Sequence, residues 1–91
     1  MAASNILDRI KAGAKIIDVR TKGEFDDEAY PWAVNIPLNV LPSKLEELGP
    51  KHESIVLYCA SGARSAQAAR LFKQAGYTDV VNAGGLDDMP R

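Results

Sequence analysis

The fold is decided by the stretch Ile55-Val56-Leu57-Tyr58-Cys59-Ala60-Ser61-Gly62-Ala63-Arg64-Ser65. It opens with a short apolar run that begins with two β-branched residues, which is typical of a buried strand. A loop containing Gly62 follows, and an alanine-rich pattern with helical spacing then runs from 63 to 75. The stretch therefore predicts a strand, a tight loop and a helix in direct succession.

Cys59, the only cysteine of the chain, stands where the predicted strand meets the loop. A loop that leads into a helix directs backbone N–H groups and the positive end of the helix dipole at whatever it encloses. A thiol in such surroundings is biased toward the thiolate, which is its nucleophilic form. We therefore expect Cys59 to be a reactive nucleophile rather than a small buried apolar residue.

Short extended segments alternate with helical patterns along the rest of the chain. Further strands are predicted over 15–20, 33–36 and 79–82, and further helices over 5–11, 22–28 and 42–48. This alternation implies parallel pairing through right-handed crossovers. The sequence thus predicts an α/β fold in which a small, mostly parallel sheet is flanked by helices on both faces. Ligands collect at the carboxyl ends of the strands in such sheets, which is where Cys59 falls.

The composition narrows the function classes. The 91 residues are expected to form one domain, 1–91. A net charge of −1 without a basic stretch offers no reason to bind nucleic acid, and no apolar run reaches the length of a membrane span. One cysteine and one histidine are too few for a Cys/His zinc site, so we expect neither metal nor cofactor. We also expect a monomer.

The first residues carry little information about the compartment. Met1-Ala2-Ala3-Ser4 lacks the charged and apolar regions of a signal peptide. A cytoplasmic location is therefore the default expectation. A periplasmic location stays open, because a chain that begins after a removed signal would look the same.

With these residues in view, the chain resembles a single-domain rhodanese, a sulfurtransferase, over essentially its full length, and the small phage-shock-type rhodaneses in particular. The matching segments, in chain order, are Ile17-Asp18-Val19-Arg20, Glu24-Phe25, Val34-Asn35-Ile36-Pro37-Leu38, Val56-Leu57-Tyr58-Cys59, Ser61-Gly62, Arg64-Ser65-Ala66, Ala75-Gly76-Tyr77 and Asn82-Ala83-Gly84-Gly85-Leu86. One departure is Ala29-Tyr30-Pro31-Trp32-Ala33, where the family often has a His-hydrophobic-Pro-Gly-Ala segment.

The resemblance implies a rhodanese-like fold and a two-step reaction. The Cys59 thiolate attacks the outer sulfur of a donor such as thiosulfate, releases sulfite and retains a persulfide. A thiophilic acceptor, which is cyanide in an assay or a thiol or a protein in the cell, then takes that sulfur. Cys59 is the implied catalytic residue. The implied substrate- and persulfide-binding loop consists of Ala60, Ser61, Gly62, Ala63, Arg64 and Ser65.

The residues of the loop suit this chemistry, although two roles stay open. Backbone N–H groups between residues 60 and 65 can stabilise an anionic sulfur, and Gly62 allows a tight turn. Arg64 either holds the donor's oxygens or braces the loop through a carboxylate. Ser61 and Ser65 either donate hydroxyl hydrogen bonds to sulfur or cap the following helix.

Other functions remain in view. Cysteine phosphatases and arsenate reductases have loops that resemble Cys-x5-Arg, whereas only four residues separate Cys59 from Arg64. The shorter loop should leave room for a sulfur atom and little for a tetrahedral phosphate. A non-enzymatic sulfur carrier or a regulatory rhodanese-like module is the other alternative, because a carrier would use the same loop.

Residues outside the loop give rise to structural expectations. Asp18, Arg20 and Glu24 are expected to form an ion-pair network, and His52 is expected at the surface. The Gly84-Gly85 pair is expected to form a turn, with an approach to the active loop as the alternative. Trp32 is left open between the core and the rim of a pocket.

Overall fold

The computed structural model describes residues 2–90, and of residues 2–5 the backbone alone. It contains four α-helices and four strands. The helices are α1 (Ala2–Lys11), α2 (Lys22–Asp27), α3 (Leu41–Lys44) and α4 (Ala63–Gln74). The strands are β1 (Lys15–Asp18), β2 (Val34–Asn35), β3 (Ile55–Cys59) and β4 (Val80–Gly85), and short 3-10 helices cover Leu45–Glu47 and Leu86–Asp88.

The four strands form one parallel sheet in the order β2-β1-β3-β4. Ile17 of β1 lies between Val34 of β2 and Leu57 of β3 in the register. All five residues of the central strand β3 are buried. This arrangement confirms the predicted α/β fold with a parallel sheet, and it places Cys59 at the carboxyl end of the most protected strand.

Alternate residues of β3 enter two separate apolar layers. Leu57 and Cys59 pack on the face that is covered by α3 and α4, where Leu41 and Phe72 are completely buried. Val56 and Tyr58 point to the opposite face, where they form the second layer with residues of α1 and the C-terminal segment, Ile6 and Met89 among them. Helices therefore flank both faces of the sheet, as predicted. No helix within residues 2–90 is long and apolar enough to cross a membrane.

Some element boundaries differ from the predicted ones. β1 ends at Asp18 instead of 20, because the backbone N–H of Arg20 donates to the Asp18 carboxylate at 2.8 Å. The predicted helix over 42–48 is a four-residue α3 that tightens into a 3-10 helix, and this winding keeps Leu41 and Leu45 buried. β4 continues to Gly85 instead of ending at 82, because Gly85 pairs with Cys59 after a shift of register.

Trp32 belongs neither to the core nor to the lining of the cleft beside Arg64. Its side chain is 88% exposed, and its backbone φ is 66°. Among residues 2–90 it is the one residue other than glycine with a positive φ. Left-handed backbone is unfavourable for a residue with a Cβ atom and natural for glycine. Trp32 occupies the position at which the resemblance noted above leads one to expect glycine, and this explains the conformation.

Candidate active site

The candidate site is built where β3 passes into α4. The loop between them occupies 60–62, and Gly62 precedes the first turn of the helix with a φ of +100°. This left-handed conformation lets the chain reverse tightly enough to bring the start of α4 back over the end of β3. The predicted sequence of strand, loop and helix is present, with Cys59 as the last strand residue.

The Cys59 sulfur accepts hydrogen bonds from the loop that surrounds it. The backbone N–H of Gly62 lies 3.0 Å from Sγ, and that of Ser65 lies 3.4 Å away. The Ser65 hydroxyl is 3.5 Å from the same sulfur. Cys59 and Ser65 are both fully buried. The loop thus encloses the sulfur in donors without a carboxylate or imidazole base.

These donors make the thiol acidic. Burial raises the pKa of Cys59, but hydrogen bonds from the Ser65 hydroxyl and from the backbone N–H groups of Ser65, Gly62 and Ser61 act in the opposite direction and lower that pKa to about 7. The thiolate is therefore far more accessible near neutral pH than it is in an ordinary cysteine. A thiolate held by donors is the form that attacks sulfur.

Gly84 and Gly85 lie against this loop, contrary to the expectation of a simple turn. They are the last residues of β4. A Cβ atom on Gly85 would lie 2.2 Å from the Ala60 carbonyl oxygen, and one on Gly62 would lie 3.3 Å from the Gly84 Cα. The alternative expectation, an approach of this backbone to the active loop, is therefore confirmed. Close packing of two backbone segments explains why side chains are absent at these positions.

Arg64 forms a two-point ion pair with Glu24 of α2. The distances are 2.8 Å from Nη1 to Oε1 and 3.1 Å from Nη2 to Oε2. The Glu24 carboxylate also accepts the backbone N–H of Thr21 at 3.0 Å and completes the capping box of α2. The hydrogen bond from Arg64 and then that from Thr21 lower the pKa of Glu24 to about 2. In this structure Arg64 braces the loop against α2.

The expected network of Asp18, Arg20 and Glu24 is divided into two pairs. Asp18 and Arg20 form a buried ion pair with 2.7 Å between Oδ2 and Nη2. Arg20 also donates to the Glu28 carbonyl at 2.6 Å and lies over the Tyr58 ring, 5.6 Å from its centroid. Glu24 instead pairs with Arg64, because the capping geometry of α2 turns its carboxylate toward the loop.

The remaining predicted residues have distinct places. Ser61 contributes its backbone N–H to the acidity of Cys59, and Ser65 contributes both its N–H and its hydroxyl. Neither is the N-cap of α4, since that position belongs to Gly62. Ala60, the first residue of the loop, and Ala63, the first residue of α4, are both exposed. His52 is exposed, as expected.

An open cleft of about 520 Å³ adjoins the loop on the side of Arg64. Its walls are mainly apolar and come from the residues after β1, the segment after β2, α3 and one side of α4. The lining residues are Val19, Thr21, Pro37, Leu38, Asn39, Pro42, Arg64, Gln67 and Leu71. Within residues 2–90 no group of three or more His, Cys, Asp or Glu side chains is placed to hold a metal ion.

Asn82 is a site residue to which the sequence assigned no role. It lies in β4 and contacts the loop through both ends of its side-chain amide. Oδ1 accepts from the Ser65 hydroxyl at 2.6 Å, and Nδ2 donates to the Gly62 carbonyl at 3.1 Å. The one signal in the sequence is its position two residues before Gly84-Gly85, in a segment that already matched the family pattern.

Comparisons with known proteins point in one direction. The family model of the rhodanese-like domain matches residues 2–89, which include the whole loop. The chain is 38% identical over 74 residues to the thiosulfate sulfurtransferase PspE of Escherichia coli K12, which covers 80% of this chain and 71% of that protein. It is 39% identical over 70 residues to a sulfurtransferase of Allochromatium vinosum, which covers 77% of this chain and 64% of that protein.

A solved structure agrees with these sequence similarities. The rhodanese from E. coli determined with anions superposes with a TM-score of 0.79 at 36% sequence identity. The match covers 86% of this chain and 95% of that chain.

Proposed function

We propose that this chain, which belongs to the family of rhodanese-like domains, is a sulfurtransferase that uses thiosulfate as a donor. The intermediate of the proposed reaction is a persulfide on Cys59. The resemblance inferred from the sequence is confirmed by this membership. The observation that carries the proposal is the set of donors around the Cys59 sulfur, which includes the Gly62 N–H at 3.0 Å and the Ser65 N–H at 3.4 Å.

The first step loads the protein with sulfur. The Cys59 thiolate attacks the outer sulfur of thiosulfate, a new S–S bond forms, and the bond between the two sulfur atoms of the donor breaks. Sulfite leaves with the electron pair of that bond. The negative charge passes from Sγ to the outer sulfur of the persulfide, where the N–H groups of the loop can stabilise it. No proton transfer is required, since the nucleophile is already an anion.

The second step transfers the persulfide sulfur to an acceptor. An acceptor such as cyanide or a thiolate attacks the outer sulfur, and the S–S bond to Cys59 breaks. Its electron pair returns to Sγ, which regenerates the thiolate within the same donors. We expect the acceptor to approach from the cleft beside Arg64, because that residue lines the cleft and lies close to the loop in sequence.

The direct test is thiosulfate:cyanide sulfur transfer by the parent chain and by Cys59→Ser. We expect thiocyanate from the parent and none above background from the variant. Intact mass spectrometry after thiosulfate treatment should show a gain of one sulfur atom in the parent, which cyanide removes. Matching circular-dichroism spectra control for the fold of the variant. A parent that neither transfers nor gains sulfur would overturn the proposal, and an active Cys59→Ser variant would overturn the role of Cys59.

Two further measurements, sulfur transfer to a protein acceptor and hydrolysis of an aryl phosphate ester, separate the alternatives. A sulfur carrier would gain the sulfur atom but release it to cyanide far more slowly than to a protein acceptor. A cysteine phosphatase would hydrolyse an aryl phosphate ester, which we expect this chain to leave intact. The four-residue interval between Cys59 and Arg64 and the filling of that loop by the Cys59 sulfur support this expectation.

A further inference from the structure

The Ser65 hydroxyl has one proton and several acceptors around it. Its oxygen lies 2.6 Å from Asn82 Oδ1, 3.2 Å from the Gly62 carbonyl oxygen and 3.4 Å from that of Gly84. The Cys59 sulfur is at 3.5 Å. The first of these distances is that of a strong O–H···O bond, whereas the others are longer. Asn82 is therefore the preferred acceptor for this proton, and the Cys59 sulfur competes with it.

The orientation of the Asn82 amide is determined by its other partners. The Gly84 N–H donates to Oδ1 at 2.9 Å, and Nδ2 donates to the Gly62 carbonyl at 3.1 Å. Reversal of the amide would place a donor against the Gly84 N–H and an acceptor against a carbonyl. Oδ1 must therefore face Ser65, and the hydroxyl must be the donor of the 2.6 Å bond.

We propose that Asn82 is a positioning residue for sulfur transfer and that it acts through Ser65. It accepts a hydrogen bond from the Ser65 hydroxyl whenever the Cys59 sulfur carries a proton or a second sulfur atom. The inference rests on the proposed function, because the second of these states exists only if Cys59 carries sulfur. Asn82 does not touch the sulfur itself. Its effect is to give the Ser65 hydroxyl a place to bond when Sγ holds no charge.

The hydroxyl would change partners during the reaction. While Cys59 is a thiol, the hydroxyl donates to Asn82, and its oxygen can accept the S–H proton. When Sγ is a thiolate, the hydroxyl can turn to the sulfur and share its negative charge. After attack on thiosulfate the charge resides on the outer sulfur, and the hydroxyl returns to Asn82. Each turn exchanges one hydrogen bond for another, so no buried polar group is left without a partner.

Charged groups near the loop have partners other than Ser65. Arg64 pairs with Glu24, and Arg20 pairs with Asp18. The Asp88 carboxylate accepts the Gly85 N–H at 2.8 Å. None of these is a partner of the Ser65 hydroxyl in the bonds described above. A change at Asn82 should therefore reach Cys59 through Ser65 and not through these ion pairs.

The test is the pKa of the Cys59 thiol, followed by thiolate absorbance, in the parent, Asn82→Ala, Ser65→Ala and the double variant. Loss of the preferred acceptor leaves the hydroxyl free for the thiolate, so we expect Asn82→Ala to lower this pKa by about half to one unit. In the Ser65→Ala background the same change should shift the pKa by no more than the error. An unchanged or raised pKa in Asn82→Ala, or an equal fall in both backgrounds, would overturn the inference.

A second variant keeps the test decisive if Asn82→Ala does not fold. Asn82→Asp preserves the size of the side chain and the acceptor oxygen. Its carboxylate should keep the hydrogen bond from the Ser65 hydroxyl even when Cys59 is a thiolate, and this should raise the Cys59 pKa. This rise should be larger with Ser65 present than in Ser65→Ala. Gln74→Glu carries the same charge change at an exposed position at the end of α4 and should leave the pKa unchanged. Equal rises in the two backgrounds would mean a purely electrostatic effect and would refute the inference.

The titration is independent of sulfur transfer. If the parent transfers no sulfur but the pKa values follow the expected pattern, the proposed function fails and the hydrogen-bond exchange between Ser65 and Asn82 stands. If the parent transfers sulfur and the pKa values do not respond, only the role of Asn82 fails. A rate of sulfite release that falls about two- to threefold in Asn82→Ala at high pH would connect the two, because a less basic thiolate is a weaker nucleophile.

Discussion

At the scale of single residues, the properties of the site follow from how Cys59 is surrounded. Burial alone would make its thiol less acidic, but N–H groups of the loop and the Ser65 hydroxyl lower its pKa to about 7. The sulfur needs no neighbouring base for activation. Cys59 could be singled out from the sequence because a lone cysteine followed a strand and preceded a helix. The role of Asn82 could not, since its contact with Ser65 joins residues 17 positions apart.

The low pKa predicts a pH profile. We expect the rate of sulfite release in the first step to rise about tenfold per pH unit below pH 7 and to level off above it, because the thiolate fraction saturates there. Rapid-quench measurement of that step gives the midpoint. A rate that keeps rising to pH 9.0, the ordinary thiol value, would contradict the pKa of about 7.

The same shift affects stability, with a defined sign. The pKa of Cys59 is lower in the folded protein than in the unfolded chain, so its contribution to stability is complete above pH 9.0 and disappears as the pH falls through about 7. The free energy of unfolding of the parent should therefore grow relative to that of Cys59→Ser between these two pH values. Equal stability profiles for the two proteins would mean that the folded state does not favour the thiolate.

At the scale of elements, the loop is held from two sides. β4 presses its last two glycines against the loop, and α2 reaches it through the Glu24–Arg64 ion pair. Neither contact was certain from the sequence, because both depend on where distant elements meet. The glycine pair allowed the approach to the loop as an alternative to a turn. Glu24 was assigned to Arg20, its near neighbour in sequence, whereas the capping box of α2 directs it to Arg64.

The contact between β4 and the loop can be tested with Gly85→Ala. The added Cβ atom would lie 2.2 Å from the Ala60 carbonyl oxygen, which is backbone and must shift. We expect a loss of about 1–3 kcal/mol in the free energy of unfolding, as is typical of overpacking, and slower sulfur transfer. Urea denaturation and the thiosulfate assay measure the two effects.

Gly23→Ala is the matched control for this experiment. Gly23 lies inside α2, and a Cβ atom there would have its nearest neighbour at 4.0 Å. Alanine favours helix over glycine, so this variant should be as stable as the parent or more so. If both variants behaved like the parent, β4 would not pack against the loop as described.

The ion pair of α2 with the loop favours one of the two roles left open for Arg64. Because both Glu24 oxygens bind the guanidinium, we expect Arg64 to act as a brace. Glu24→Gln and Arg64→Ala should then reduce sulfur transfer to a similar extent, and the double variant should be no worse than either. Both side chains are more than one-third exposed, so solvent screening should limit the stability change to about 1 kcal/mol. If Arg64→Ala raised KM for thiosulfate and Glu24→Gln did not, this would instead indicate donor binding by Arg64.

At the scale of the whole molecule, the fold could be predicted because its pattern is local. Strands alternate with helices, and that order specifies parallel pairing with helices on both faces. Element ends were less predictable, since they depend on tertiary contacts. β1 stops where Asp18 captures the Arg20 N–H, and β4 extends until Gly85 reaches Cys59. The sequence also marked residues 29–33 as unusual without showing that Trp32 takes up left-handed backbone.

That conformation predicts a gain in global stability. Trp32→Gly should increase the free energy of unfolding by about 1 kcal/mol, because glycine adopts a φ of 66° without strain and the 88% exposed indole contributes little packing. Trp32→Ala is the matched control. It removes the indole but keeps a Cβ atom, so it should give little of the increase. Urea denaturation followed by circular dichroism measures both, and a destabilised Trp32→Gly would show that the indole makes contacts of its own.

The exposure of Trp32 also determines which spectroscopic signals follow the folding and binding of this protein. Its indole is the only one in the chain, and in the folded state it is already 88% in water. Intrinsic fluorescence should therefore change little on unfolding and would make a poor measure of folding, whereas Tyr58, completely buried, should give a near-ultraviolet dichroism signal that is lost. Any molecule that covers this part of the surface should shift the emission to shorter wavelength. The native protein thus carries a label-free optical sensor of binding next to β2.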